Sequence, residues 1–167
     1  LPRVKNSLVL AGVCAQDPRT IWPEYLEKLK KMGFSGIQNF PTVALIDKNS
    51  LFRRNLEESG FGYNKEVEVL KMAREMDMFT LGYAFTEDEV EALAKAGVDL
   101  IAVHVGLTTG GIVGAKTTVT IEEAIERTNK LLDVAYRVRP EGDFIPMTHG
   151  GPMEDPETVA KVLSATK

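Results

Sequence analysis

Short, unbroken apolar runs alternate with segments of helical spacing along the whole chain, and this alternation constrains the fold more than any other feature. Five runs read as strands: residues 7–13 (SLVLAGV), 36–40 (GIQNF), 79–85 (FTLGYAF), 100–106 (LIAVHVG) and 143–149 (DFIPMTH). Their hydrophobicity is continuous rather than alternating, as a parallel sheet with both faces covered requires. Residues 21–31, 64–76, 86–96, 121–138 and 156–165 carry helical spacing between and after them. Thr86 with Glu89, and Thr120 with Glu123, have the form of capping boxes, and the glycines of KKMGF and KAGVD mark helix ends.

Repeated βα units leave two architectures, a closed barrel or an open doubly wound sheet. The turn after the first strand reads CAQDPRT and lacks the Gly-x-Gly-x-x-Gly fingerprint of a dinucleotide-binding sheet. The expected fold is therefore α/β, a (β/α)8 TIM barrel to which this chain contributes about five βα units. A full barrel has eight strands in about 250 residues, so residues 1–167 read as one partial barrel domain. The chain opens at Leu1 without an initiator methionine, which reads as a piece of something longer. Its two open sheet edges call for a homo-oligomer or for completion by missing chain segments.

With 44% hydrophobic residues, 26% charged residues and a net charge of -4, the composition is that of a soluble globular protein. Acidic and basic residues are interleaved with no basic stripe, so no nucleic-acid partner is expected. No apolar run approaches the ~18 residues of a membrane span and no leader precedes the first strand, so no membrane partner is expected either. A single cysteine, Cys14, allows no intrachain disulfide and suits a reducing, cytoplasmic location.

In a parallel barrel the chemistry sits in the loops after the strands. Those loops begin CAQDP, NFPT, YAFTED, HVGLTTGG and THGGP. The two histidines of the chain, His104 and His149, both fall at such ends, on strands expected to be neighbours. They suit an acid–base pair, donors to an oxyanion, or metal ligands together with Asp17; the plainer alternative is local backbone satisfaction. Asn39 is placed to orient a carboxylate or enolate oxygen, with Tyr83 beside it as a binding residue. Thr108, Thr109, Gly110 and Gly111, with Gly150 and Gly151, offer hydroxyls and backbone N–H groups to an anion, unless the long loop is simply a lid. Cys14 reads as a buried structural thiol more readily than as a nucleophile, and Glu57 and Glu58 as solvated helix acids more readily than as a general base.

The segments QNFPTVALID, FRRNLEESGFGY, VHVGLTTGGIVGA and THGGP, in this order, resemble the phosphoenolpyruvate hydrolase-like, or predicted signal-transduction, TIM-barrel family. That family also forms the C-terminal domain of a plant protein that inhibits tobamovirus RNA replication. The resemblance covers essentially the whole chain and implies a barrel of the phosphoenolpyruvate/pyruvate superfamily, with this chain as strands three to seven. The glycine-rich first unit, the second strand and the eighth strand are then absent. Ala44 and Lys48 stand where the family commonly has glycine. A superfamily site implies Mg²⁺ held on carboxylates beside a pyruvate enolate, yet Asp17 is the one obvious strand-end carboxylate. Two functions follow from the resemblance. One is an enzyme, a hydrolase or lyase, acting on a small anionic substrate of the phosphoenolpyruvate or phosphonopyruvate type. That enzyme is the main reading; the alternative is a non-catalytic barrel that senses a ligand or binds a protein, as in inhibition of viral RNA replication.

Overall fold

The computed structural model describes residues 3–109, 114–116 and 119–167. In it the five runs pair as parallel strands in sequence order: β1 (Leu10–Gly12), β2 (Gly36–Gln38), β3 (Phe79–Ala84), β4 (Leu100–His104) and β5 (Ile145–His149). The order never reverses, which is the winding of a barrel and not of a doubly wound sheet. Six helices accompany them: α1 (Trp22–Lys31), α2 (Leu51–Glu58), α3 (Tyr63–Glu75), α4 (Glu87–Ala96), α5 (Ile121–Val138) and α6 (Pro156–Ser164).

Strand side chains alternate between faces, and here the two faces differ sharply. Ala11, Val13, Ile37, Ala84, Ile101 and Val103 point one way and form a single buried core with Leu26, Val69, Leu70, Val90, Leu93, Leu131 and Leu132 of the helices. Gly12, Cys14, Phe40 and His149 point the other way and are exposed, with Gln38, Tyr83, Phe85 and Met147 half-buried. This second face is the side that a closed barrel turns inward. Within these residues it is open, and β1 and β5 each pair along one edge.

Local signals place the ends. Gly33 and Gly97 follow α1 and α4 at φ of 90° and 77°, a conformation glycine adopts without a Cβ penalty. Two features depart from the sequence-based expectation. β1 is three residues long because β2, against which it pairs, offers only Gly36–Gln38. The β2–α3 connection, where the sequence reading assigns no helix of its own beyond taking Glu57 and Glu58 as helix acids, holds a 3₁₀ turn at Val43–Leu45 and the whole of α2, whose N-cap is Ser50 Oγ accepting from Arg53 N.

Candidate functional site

Three strands carry one cluster at the open face. His104 and His149 are register partners across β4 and β5, and their ring centroids lie 4.9 Å apart at 67°. The Tyr83 ring, from β3, is 6.1 Å from His104 and 5.6 Å from His149. Phe40 meets Tyr83 edge-on at 5.7 Å, and Phe85 stacks on His104 at 4.4 Å and 16°. His104 is 3% exposed, whereas His149 is open to solvent.

The hydrogen bonds fix the protonation of the cluster. Gly106 N donates to His104 Nδ1 at 3.2 Å, so the neutral ring carries its proton on Nε2. Burial, then the charge of His149 and of Arg127, lower the His104 pKa to about 4. Burial also lowers that of His149 and raises that of Tyr83, which stays a phenol. At neutral pH the cluster therefore presents uncharged hydrogen-bonding groups.

Behind the cluster lies a buried polar network that joins the strand ends. Glu66 of α3 accepts from Asn39 Nδ2 and Thr42 Oγ1, each at 2.7 Å, on Oε2, and from Val43 N at 2.8 Å and Gln16 Nε2 at 2.9 Å on Oε1. Four donors on two oxygens suit an ionised carboxylate, while burial acts against them and leaves its pKa raised. Asn39 continues the link: its Oδ1 accepts from Tyr83 N at 2.6 Å and its Nδ2 also donates to Tyr83 O at 3.2 Å. Tyr63 Oη donates to that same carbonyl at 2.7 Å. Arg53 is buried and donates to Glu57 at 2.7 Å, to Glu89 at 3.0 Å and to the Val43 carbonyl at 2.6 Å. Glu89 in turn accepts from Phe85 N at 2.9 Å, which holds the backbone of the ring stacked on His104.

The residues expected from sequence divide accordingly. His104, His149 and Tyr83 come together on the open face. Asn39 is 1% exposed with both amide hydrogens engaged, so it positions Tyr83 and has no donor left to orient a ligand. Asp17 is paired with Arg19, whose guanidinium lies 3.0 Å away and holds the carboxyl below its usual range. Cys14 is exposed rather than buried. Glu57 is bound to Arg53 and to Tyr63 N, which takes it away from proton transfer.

The described parts of the two glycine-rich loops are tied together by hydrogen bonds. Thr109 donates through N at 3.0 Å and Oγ1 at 3.3 Å to Gly151 O, Gly151 N donates to Gly106 O at 2.9 Å, and Ala115 N donates to Thr108 O at 2.9 Å. The N–H groups of Gly106, Thr109 and Gly151 are thus spent within the protein rather than offered to an anion. Gly110 and Gly111 lie outside the described residues. Gly150 must be glycine: its φ is 88°, and a Cβ would stand 2.0 Å from Gly106 O and 2.8 Å from His104 Cε1.

Among the described residues no three His, Cys, Asp or Glu side chains converge on a possible metal position. A hard cation such as Mg²⁺ is held by oxygen ligands, most of them carboxylates or carbonyls, and the described cluster offers two imidazoles and a phenol. This donor set does not fit Mg²⁺.

Sequence reasoning missed Glu66 and Arg53 because both lie on helices rather than at strand ends. A signal for Glu66 was present: with Tyr63, Val69, Leu70 and Ala73 it falls on the one buried stripe of α3.

Comparison with known proteins places this arrangement. The family model described as phosphoenolpyruvate hydrolase-like matches residues 1–167. The chain is 49% identical over 166 residues to the ToMV susceptible protein tm-1(GCR26) and to the ToMV resistance protein Tm-1(GCR237), both of Solanum lycopersicum, over 99% of its own length and 22% of theirs. It is 35% identical over 167 residues to a Sinorhizobium fredii protein provisionally named as a transcriptional regulatory protein, of which it covers 27%. The chain thus spans about a quarter of the length of these relatives. Among solved structures it resembles a truncated 3-deoxy-D-arabino-heptulosonate 7-phosphate synthase from Thermotoga maritima, with a TM-score of 0.52 and 15% identity over 95% of this chain and 47% of that one. It also resembles 2,3-dimethylmalate lyase, a member of the PEP mutase/isocitrate lyase superfamily, with a TM-score of 0.53 and 11% identity over 95% of this chain and 55% of that one. At such identities the likeness is one of fold.

Proposed function

This chain belongs to the phosphoenolpyruvate hydrolase-like family, with about five parallel βα units of the phosphoenolpyruvate/pyruvate-superfamily fold, and from that premise we propose that it forms the ligand-sensing wall of a barrel that does not turn its ligand over. The ligand is a small carboxylated or phosphorylated acid held against Tyr83, His104 and His149. The supporting observation is the division of the polar groups: neutral donors stand at the open face, and the fully buried carboxylate of Glu66 is spent behind it on four hydrogen bonds. Such a face is organised for recognition. Among the described residues, Tyr83, His104 and His149 at this face have no carboxylate beside them for proton abstraction or for a metal. The relatives' names, resistance, susceptibility and transcriptional regulation, fit a sensor better than a metabolic enzyme.

The remaining wall is assigned to further βα units of the same protein, with this chain as strands three to seven. The open inner face and the two open edges support that assignment. No helix among the described residues is long and apolar enough to cross a membrane. An exposed, unpaired Cys14 is at home in a reducing cytoplasm.

One observation favours a second reading. Two imidazoles 4.9 Å apart are close enough to relay a proton, as a hydrolase or lyase needs. A thermal-shift screen of the full-length protein against pyruvate, phosphoenolpyruvate and related acids, run beside an assay for released phosphate or cleaved acid, separates the two. Stabilisation without product supports the sensor, and product formation supports the enzyme.

A further inference from the structure

The two histidines of the cluster are not equivalent, and we infer that they divide the work: His104 is a fixed, neutral Nε2–H donor, while His149 is the group of this face that takes up and releases a proton with the ligand.

The inequality begins in the backbone. Gly106 N–H points into the Nδ1 lone pair of His104, and a proton on Nδ1 would meet that N–H head-on. The turn cannot easily swing away. Val105 N is tied to His149 O at 3.0 Å and Gly151 N to Gly106 O at 2.9 Å, so moving Gly106 breaks the register of both glycine-rich loops. Nor can the ring readily flip. Phe85 covers one side at 4.4 Å, and the Gly150 backbone is so close that a methyl group there would press on Cε1. The ring is thus held in the tautomer with hydrogen on Nε2. That nitrogen meets no acceptor among the described residues, and it is not among the side-chain atoms sealed from solvent without a partner. It is free to donate to a ligand.

His149 has none of these restraints. It is exposed, and neither ring nitrogen makes a hydrogen bond among the described residues. The groups facing the pair are Tyr83 of β3, Phe85 immediately after β3 and the two rings themselves, with Arg127 of α5 acting on His104 from a distance. Both charges that act on His104, those of Arg127 and protonated His149, are positive and oppose a proton there. Once His149 is protonated, His104 is driven further toward neutrality.

Resting on the sensor reading, the consequence is proton-linked binding. An anionic ligand stabilises protonated His149, so its affinity falls as pH rises past the point where free His149 loses its proton. The slope is at most about tenfold per pH unit for one proton, and would approach a hundredfold if both rings took part.

The division is tested without any ligand, by peptide-resolved hydrogen–deuterium exchange at histidine Cε1 in the full-length protein. The rate rises with pH until the ring is neutral and then levels off. His104 is expected to be level from about pH 5 upward, and His149, lowered by burial from the ordinary histidine value, to show its break at a higher pH than His104. In His149→Gln, His104 should remain level at neutral pH. A break for His104 at or above that of His149, in the wild type, overturns the division. This result is independent of the thermal-shift screen: an absence of ligand binding would sink the sensor reading and leave the asymmetry of the histidines standing.

Discussion

Asn39 and Glu66 meet at 2.7 Å in the buried seam between β2 and α3, and through Asn39 the carboxylate on the helix sets the position of the Tyr83 backbone two strands away from Gln16. Glu66→Gln tests this link. An amide in place of the carboxylate turns a donor toward at least one of the four donors now facing it. The expected cost is about 2–3 kcal/mol, the penalty of a buried polar group left without its partner. Denaturant unfolding of the variant should show it. Glu68→Gln, two residues on and in an exposed pair with Lys65, should be nearly silent. Equal costs for the two variants would mean that the network does not hold the strand ends.

Strands and helices were legible because each had a local cause. Apolar runs gave the strands, capping residues and glycines gave the helix ends, and α5 occupies the expected residues, Ile121–Val138. The pairing of His104 with His149 was legible as well, because successive parallel strands place their C-terminal ends side by side. What escaped was set by tertiary context. Asn39 stands at a strand end like a ligand-binding residue, but its amide is claimed by Glu66 and Tyr83, groups 27 and 44 residues away in the sequence. Asp17 reads as a binding residue or metal ligand from its charge, and Arg19, only two residues on, neutralises it. Arg53 is one charge among several in FRRNLEE, and only the fold brings Glu89 to it.

The pH dependence of stability should carry the mark of His104. Its folded value, about 4, lies below the ordinary 6.5, so between these values the unfolded chain binds more protons than the folded one. Stability from this group is fully present above 6.5 and is lost as pH falls toward 4. Glu66 has the opposite sign, because its raised value makes the folded state the better proton acceptor above 4.5. Unfolding midpoints measured from neutral to acidic pH should therefore fall less steeply in His104→Gln than in the wild type. A parallel pair of curves would contradict the neutral, buried imidazole.

Gly150 and Gly142 share a positive φ, 88° and 90°, but not their surroundings. A Cβ at Gly142 meets nothing within 4 Å, whereas one at Gly150 runs into Gly106 O and the His104 ring. Gly142→Ala should cost about 1 kcal/mol for its backbone conformation alone. Gly150→Ala should cost several times as much and should also disturb exchange at His104 Cε1. Denaturant titration of both variants provides the comparison, and similar losses would contradict the close docking of the two loops.

The sensor role requires that Tyr83, His104 and His149 bind a small acid without transforming it. The direct measurement is the unfolding temperature of the full-length protein across a concentration series of pyruvate and phosphoenolpyruvate, for the wild type and for a variant with both histidines replaced by alanine. A ligand at a hundred times its dissociation constant adds about 2.7 kcal/mol to the stability of the folded state. A concentration-dependent rise is expected in the wild type, with no rise in the double variant and no accumulation of product. Unchanged stability in the wild type, stabilisation that survives loss of both histidines, or product that forms only when both are present would contradict that role.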